Sequence, residues 1–545
     1  MEEKMDAHVY PEGCFFKSLD DIAGKKITVM GLGLNGGGEA CVRFFLKHGA
    51  FVTVTDMKSA VDLAPTLKRL AEDESLDKSR LSYVLGQHRM EDFTDADCVI
   101  KNPGVKIQGN AYLSAAKAIE TDLSIFLHFT KAPIIAVTGS KGKSSTVSAI
   151  HYGLEHAGFK TFLGGNITVS PLTFLEETDG TTPVVLELSS WQLADLRGRK
   201  VLKPKIAIIT KIVPDHQNWY GDMDSYVADK RLIYADQDAD DFTIVGYDDD
   251  DYLKETATPK EGCCSWGDLF ASETKGTVLR YSKSSLPPEV YGAFQRIESG
   301  EKFMSGFVRL PEKFLNRASA EKHENVKKVM GNLLVPGEHM KINVLNAALA
   351  MCLMHVVPEQ ITNILGKWQG LPHRLENFHR MTVPASGIAL SFYNDTCATV
   401  PEATAAAIKA FGDRVILICG GTDKGLDFSP LMETLTDPVY KKNRPRKIYL
   451  LAGTGTEKFV PLLKENSIDF NGPYTSLEGL LESFKADLED ENAQRAFGFF
   501  KGDAEIPVVF SPGATSFGMF TNEFDRGNKF KDQVLSLWED KKNKK

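Results

Sequence analysis

Lys143 stands in a glycine-punctuated run, AVTGSKGKSST from Ala136 to Thr146, between a β-branched stretch that reads as a buried strand and a segment that reads as a helix. Glycines at 139 and 142 let backbone N–H groups turn inward on phosphate oxygens, and the positive end of the following helix reinforces them. In such a loop Gly139, Ser140, Lys141 and Gly142 form a cradle, Lys143 reaches the β- and γ-phosphates, and Ser144 or Ser145 faces Mg2+. The expected chemistry is binding of a nucleotide through its phosphates. Val137 occupies the place of the first glycine in the general GxxxxGK[ST] pattern, so only the second half of that pattern is met.

A second glycine run, GLGLNG from Gly31 to Gly36, again lies between strand and helix, and Asp56 ends the next strand. Read alone, this run of Gly31, Leu32, Gly33, Leu34, Asn35 and Gly36 is a dinucleotide fingerprint, with Asp56 on ribose hydroxyls. The same glycines suit any pyrophosphate-bearing ligand, and equally a purely structural turn. Glu187 sits inside the apolar run VVLELSSWQL, where an unpaired carboxylate is costly, so a metal or a hydrogen-bond partner is expected. Asp215 and His216 follow the strand PKIAIIT, and Lys230 lies on a probable helix. Singly these are a structural histidine and a solvated lysine; their order after the phosphate loop draws them into one site.

The elements that must position these residues repeat strand, glycine turn and helix, the signature of parallel βαβ units. KKITVMGLGLNGGGEACVRFFLKHG opens the first such region, APIIAVTGSKGKSSTVSAIHYGLEHAG the second, and the stretch from GLPHRLE onward the third. Turn chemistry at Lys131-Ala132-Pro133 and Gly370-Leu371-Pro372 sets the boundaries. The expectation is an α/β chain of three domains: a Rossmann-like domain over 1–131, a P-loop-type ATP-binding domain with a mostly parallel sheet over 132–370, and a Rossmann-like domain over 371–545. Residues 246–330 are polar and interrupted by DDDD, EGCC and SLPPE, so they read as an elaboration of the middle domain, with short strands near GTVLRYS and SGFVRL and no assigned chemistry.

With 545 residues, 42% hydrophobic and 25% charged, the composition is that of globular domains. A net charge of -9 argues against a general nucleic-acid binder. No apolar run reaches the roughly 18 residues of a membrane span, and the opening MEEKMDAHVYPEG has neither a basic start nor an apolar core, so a cytoplasmic location without membrane partners is expected. Eight cysteines without a CxxC pair suggest neither a disulfide framework nor a zinc site, and the lysine-rich end WEDKKNKK reads as a solvated terminus.

TGSKGKSS, GGNI, ELSSWQL, PDH, YVADKRLIY, GEHMKIN, GLPHR, NDTCAT, GGTDKGLDF and SPGATSFGMF…RG occur in the order and approximate spacing of the Mur ligases, which this chain resembles over most of its length. ELSSWQL resembles the D-glutamate-adding members in particular. That resemblance implies an ATP-dependent ligase that activates the carboxylate of UDP-N-acetylmuramoyl-L-alanine as an acyl phosphate and joins it to D-glutamate, with these small molecules as its partners and a monomer as its expected state. It implies Ser144 and Glu187 on a first Mg2+, His216 on a second, and a carbamylated Lys230 as an anionic ligand. Asn343, Arg374 and Asp395 are implied on the nucleotide, and Asn102, Gly104, Asn166 and Ser189 on the UDP-substrate together with the first glycine loop. Thr399, Lys424 and Ser516 are implied on the incoming amino acid. Three positions depart from the family pattern: Cys397 where a lysine is frequent, Glu523 where an aromatic is common, and Met340 in place of an asparagine. Folylpolyglutamate synthases share the ATP machinery but begin almost directly with the phosphate loop, and an NAD-dependent dehydrogenase would use only the first glycine run.

Overall fold

The computed structural model describes residues 7–167, 169–247, 252–300, 304–311, 325–384, 386–411, 414–498 and 505–537. The acidic run at 248–251 and the lysine-rich end at 538–545 lie outside them.

Three sheets account for the described strands. The first holds β1 (Lys26–Met30), β2 (Phe51–Asp56), β3 (Leu81–Leu85), β4 (Cys98–Lys101) and β5 (Ile119–Glu120) in the order β3-β2-β1-β4-β5, all parallel. Order reverses beside β1, which opens a crevice at the carboxyl ends of β1 and β4, where a doubly wound sheet binds ligands. The glycine run and Asn102 both emerge there.

The second sheet is built from β6 (Ile134–Thr138), β7 (Phe162–Gly165), β8 (Val184–Glu187), β9 (Ile206–Ile209), β10 (Phe242–Gly246), β11 (Thr277–Ser282), β12 (Gly292–Ile297), β13 (Met304–Arg309) and β14 (Val326–Met330). Their order is β14-β13-β12-β11-β10-β9-β6-β8-β7, parallel except for the antiparallel β12-β13-β14 edge. β6, β8 and β9 are buried along their whole length, as continuous Val/Ile/Leu runs require in a sheet covered on both faces. The stretch 246–330 extends this sheet: the two expected strands are β11 and β13, while β12, β14 and the helix Trp266–Glu273 carried no clear period in the sequence.

The third sheet comprises β15 (Glu376–Thr382), β16 (Ala389–Asn394), β17 (Ile416–Cys419), β18 (Lys447–Leu451), β19 (Asn471–Tyr474) and β20 (Ile506–Phe510), ordered β15-β16-β20-β17-β18-β19 and parallel except at β15.

By compactness the chain forms two units, one of Met1–Gly331 with Ile342–Leu365 and one of Asn332–Lys341 with Gly366–Lys545. In the first, one apolar core runs from Val29, Phe45 and Phe126 of the first sheet region through Ile134, Leu186 and Ile209 of the second. In the second, Leu390, Phe484 and Val508 pack one face of the third sheet, and Leu417, Leu450 and Phe459 the other. Among the described residues no helix is long and apolar enough to cross a membrane.

Candidate active site

The phosphate loop leaves β6 and ends where the helix Lys143–His156 begins. Its glycines are required by their surroundings. Gly142 has φ 96°, and a Cβ there would stand 2.4 Å from Oδ1 of Asn343; Gly139 has φ 141°, and a Cβ there would stand 2.0 Å from Oγ1 of Thr210. Asn343, 6% exposed on the helix Glu338–Leu353, is thereby packed against the loop. Ser140 is tied down by its hydroxyl, which donates to the Val213 carbonyl at 2.8 Å and accepts from the Tyr226 hydroxyl at 3.0 Å. Lys141 pairs with Asp215 at 3.1 Å. Burial works against the Asp215 charge, yet Lys141 holds its carboxyl below the usual range. The Lys143 amine folds back to donate to the carbonyls of Gly139 and Ser140 at 3.0 and 3.1 Å, while Ser144 and Ser145 stay half-buried on the first helical turn.

Glu187 ends β8 beside this loop, because Val137 of β6 pairs with it in register. It is 2% exposed. Oε1 accepts from Nδ2 of Asn166 at 2.9 Å, whereas the buried Oε2 has no partner among the described residues. The sequence expectation of a partner is therefore met on one oxygen only. An orphaned buried carboxylate oxygen is a costly arrangement that a divalent cation relieves. Ser189, two residues on, caps the helix Ser190–Ala194 through a reciprocal capping box with Gln192.

Lys230 is the last residue of the helix Met223–Lys230 and is 1% exposed. Its Nζ donates to the Gly139 carbonyl at 2.9 Å and stands 4.6 Å from the centre of the Tyr226 ring. Burial, and then repulsion from Lys143, push its amine well below the usual lysine range. His216 precedes the short helix Gln217–Tyr220 with φ 51°, and its exposed ring packs on Trp191 at 4.9 Å. The structure thus gathers Gly139, Ser140, Lys143, Glu187, Lys230 and Asn343 around one loop. Among the described residues no three of His, Cys, Asp and Glu form a ready metal cluster. The residues present fit a hard cation only if further oxygens join Glu187.

At the first sheet, Asp56 is 7% exposed, and its Oδ2 accepts the N–H groups of Leu32 and Gly33 at 2.9 and 3.1 Å. The acid therefore shapes the glycine loop, while Leu34 and Asn35 at its tip are exposed and Gly36 turns the chain into the helix Gly37–Lys47. Asn102 packs against Gly31, and its Oδ1 accepts from the Gly104 N–H at 3.0 Å.

In the second unit, Arg374 is exposed between two residues with left-handed backbone, His373 at φ 65° and Leu375 at φ 45°. Strain of this kind in non-glycine residues collects at functional sites. Asp395 accepts from the Leu375 N–H at 3.1 Å and from the Ser511 hydroxyl at 2.7 Å, and burial pushes its carboxyl up to about 7. Lys424 reaches the Thr399 hydroxyl at 3.5 Å, and paired backbone hydrogen bonds between Thr422 and Thr515 bring the loop carrying Lys424 beside the one carrying Ser516. Arg526, 1% exposed, donates to the carbonyls of Thr396 and Ala514 and so binds these loops together. Cys397 is half-buried and its thiol is raised by burial. Thr210, Tyr226 and Arg526 were not singled out in the sequence, since each acts through a neighbour distant in the chain.

Comparison with known proteins bears on this arrangement. Residues 137–285 match the Mur ligase middle domain, and residues 25–124 match the Mur ligase MurD-like N-terminal domain. The UDP-N-acetylmuramoylalanine--D-glutamate ligase of Treponema pallidum (strain Nichols) is 39% identical over 583 residues, covering 95% of this chain and 99% of that protein. The enzyme of the same name from Borreliella afzelii (strain PKo) is 35% identical over 526 residues, covering 95% and 99%. The crystal structure of UDP-N-acetylmuramate-alanine ligase from Thermotoga maritima shares the fold with a TM-score of 0.50 at 16% identity, covering 94% of this chain and 100% of that one.

Proposed function

The chain belongs to the Mur ligase family, and on that premise we propose that it joins D-glutamate to UDP-N-acetylmuramoyl-L-alanine, with ATP cleaved to ADP and phosphate, in peptidoglycan precursor synthesis. The observation that carries the reading is likeness to D-glutamate ligases along nearly the whole chain, joined to a phosphate loop that has Lys143, Glu187 and Lys230 packed around it.

A carboxylate is a poor electrophile until one oxygen becomes a leaving group. Its oxygen attacks the γ-phosphorus of ATP, the bond to ADP breaks, and an acyl phosphate results. The amine of D-glutamate then attacks the acyl carbon, phosphate leaves, and the amine gives up a proton. Lys143 and the loop N–H groups stabilise charge on the transferred phosphoryl group. Asn343, Arg374 and Asp395 hold the nucleotide; Gly33, Leu34, Asn35, Gly36, Asp56, Asn102, Gly104, Asn166 and Ser189 hold or shape the UDP-substrate site. Thr399, Lys424 and Ser516 bind the D-glutamate carboxylates. Two Mg2+ ions, the first held by Ser144 and Glu187 and the second by His216, with a carbamylated Lys230 as a further anionic ligand, would screen the phosphate charge; the unpartnered Glu187 oxygen and the neutral-leaning Lys230 amine support this assignment. On this reading residues 1–131 form the UDP-substrate domain, 132–370 the ATP domain and 371–545 the amino-acid domain, and the enzyme works in the cytoplasm as a monomer.

ADP release with UDP-N-acetylmuramoyl-L-alanine and a panel of amino acids tests acceptor and donor together. Turnover that depends on D-glutamate is expected. Turnover that ignores D-glutamate, or prefers L-glutamate, overturns the reading.

A further inference from the structure

A buried ion pair joins the two sheet regions of the first unit. Lys101 closes β4, and its Nζ stands 2.8 Å from Oδ2 of Asp195; the two side chains are 2% and 8% exposed. The same Nζ donates to the Asn102 carbonyl at 3.1 Å, and that carbonyl also accepts the Val105 N–H at 3.0 Å. One ammonium thus pins the turn that presents Asn102 and Gly104 and lies against Gly31 of the glycine loop. On the other side, Asp195 follows directly on the helix Ser190–Ala194, whose N-cap is Ser189 and which leads back to Glu187. Its remaining oxygen, Oδ1, accepts from the Tyr10 hydroxyl at 3.1 Å, and its carbonyl accepts from Nε of Arg199 at 2.8 Å. Arg199 in turn pairs with Glu120 of β5 at 2.9 Å.

The segment bearing Tyr10 is held across this junction. Its backbone N–H groups at Tyr10 and Gly13 donate to the carbonyls of Arg197 and Arg199 at 2.9 and 2.7 Å, and Phe15 N–H donates to Glu120 at 2.8 Å. Tyr10, Lys101, Pro103, Trp191 and Asp195 are among the residues lining a cavity of ≈ 910 Å³ between the two sheet regions.

We propose that Asp195 is a positioning residue for the UDP-substrate site, acting through Lys101 to hold the Asn102–Gly104 turn at a set distance from Ser189 and Glu187. This rests on the ligase reading above. A buried pair of this kind contributes little net stability compared with an apolar pair, but removing one partner leaves the other charge uncompensated. The Lys101 ammonium would then turn toward solvent or ligand and release the Asn102 carbonyl. A turn so released binds the UDP-substrate less well and leaves the phosphate loop and the amino-acid loops as they were. The signature is a split in kinetic constants.

The test is steady-state kinetics of the full chain with Asp195→Asn, set beside calorimetric binding of the UDP-substrate. The wild type must first show D-glutamate-dependent turnover; without it the ligase reading fails, and calorimetric binding of the UDP-substrate by wild type and variant then decides this proposal by itself. Given that turnover, Asp195→Asn is expected to raise KM and Kd for the UDP-substrate by ~10-fold, with kcat and the KM values for ATP and D-glutamate within ~2-fold, a coupling of ordinary size. Asp195→Glu should recover part of the loss. Lys101→Met combined with Asp195→Asn should be no worse than the single change, since both break the same link. The apolar pair Lys101→Met with Asp195→Leu serves if Asp195→Asn does not fold, and is expected to show the same rise in KM. An unchanged KM for the UDP-substrate in a folded variant, or a uniform fall in all constants, overturns the proposal.

Discussion

Asn166 donates from its amide Nδ2 to Oε1 of Glu187 at 2.9 Å, and Oε2 of the same buried carboxylate is left without a partner among the described residues. A buried carboxylate oxygen without a partner costs the fold stability. Glu187→Gln preserves volume and the Asn166 contact while removing the charge. We expect it to fold with unchanged or higher thermal stability and to lose ligase turnover by ~100-fold, the scale of one charge-stabilising group. Calorimetric melting and ADP release check the two halves. Full activity in the glutamine variant would remove Glu187 from the metal site.

Lys143→Ala is expected to cost at least ~100-fold in turnover while binding of the UDP-substrate survives, because Lys143 belongs to the phosphate loop, where its Nζ donates to the Gly139 and Ser140 carbonyls. Single-turnover ADP formation separates loss of phosphoryl transfer from loss of binding. Near-normal turnover would take the loop out of the mechanism.

Asp56→Ala removes the acceptor that gathers the N–H groups of Leu32 and Gly33. The glycine loop then loses its shape without any change at the phosphate loop. The Kd for the UDP-substrate should rise by ~10-fold or more, as when a hydrogen bond to a charged group is lost, with ATP binding within ~2-fold. Calorimetry measures both. Tight binding of NAD that competes at this site would support the dehydrogenase alternative.

Much of this was legible in the sequence because loops that bind phosphate are local: Gly139, Gly142 and Lys143 lie within five positions, and their strand-turn-helix setting is written in the adjacent residues. The three sheets followed from the same periodicity. What escaped is tertiary. Thr210 meets Gly139 and Tyr226 meets Ser140 only after the chain has folded back, and Arg526 closes loops more than a hundred residues distant in sequence. The pairing of Lys101 with Asp195 spans two sheet regions and carries no motif. β12 and β14 escaped for a different reason: neither GAFQRI, buried over its first four residues, nor VKKVM, buried only at its last two, shows the alternation that marks a half-buried strand.

Lys424→Ala should raise the apparent KM for D-glutamate by ~10-fold or more, the loss of a charge-assisted hydrogen bond, and leave acyl-phosphate formation intact. Lys424 reaches Thr399 at 3.5 Å on the loop beside Ser516, in a unit distinct from that of the phosphate loop. Kinetics with varied D-glutamate and trapping of the acyl phosphate check the split. An unchanged D-glutamate requirement would move the amino-acid site elsewhere.

Lys230 ties the most residues together. Its amine is buried and donates to the Gly139 carbonyl at 2.9 Å, so an ammonium there is disfavoured first by lost hydration and then by Lys143. A neutral amine is the form that attacks CO2: a C–N bond forms, a proton leaves, and the lysine becomes an anionic carbamate with oxygens suited to a hard cation. The sign of the pH effect on stability follows from the lowered amine. Between that lowered value and the ordinary lysine range the unfolded chain binds more protons than the folded one, so stability of the uncarbamylated protein rises with pH through this window. Lys230→Met is therefore expected to melt higher than the bicarbonate-free wild type, by a margin that is fullest at low pH and shrinks as pH climbs toward the ordinary lysine range. The same substitution should abolish turnover, as should Lys230→Ala. Acetate or formate should partly restore the alanine variant by filling the vacated space with a carboxylate. Labelled bicarbonate should give a carbamate carbon signal in the wild type that is absent in both variants. A fully active enzyme with an unmodified Lys230 would overturn the assignment, because the lysine would then offer no anionic oxygen to the cation that the unpartnered Glu187 oxygen calls for.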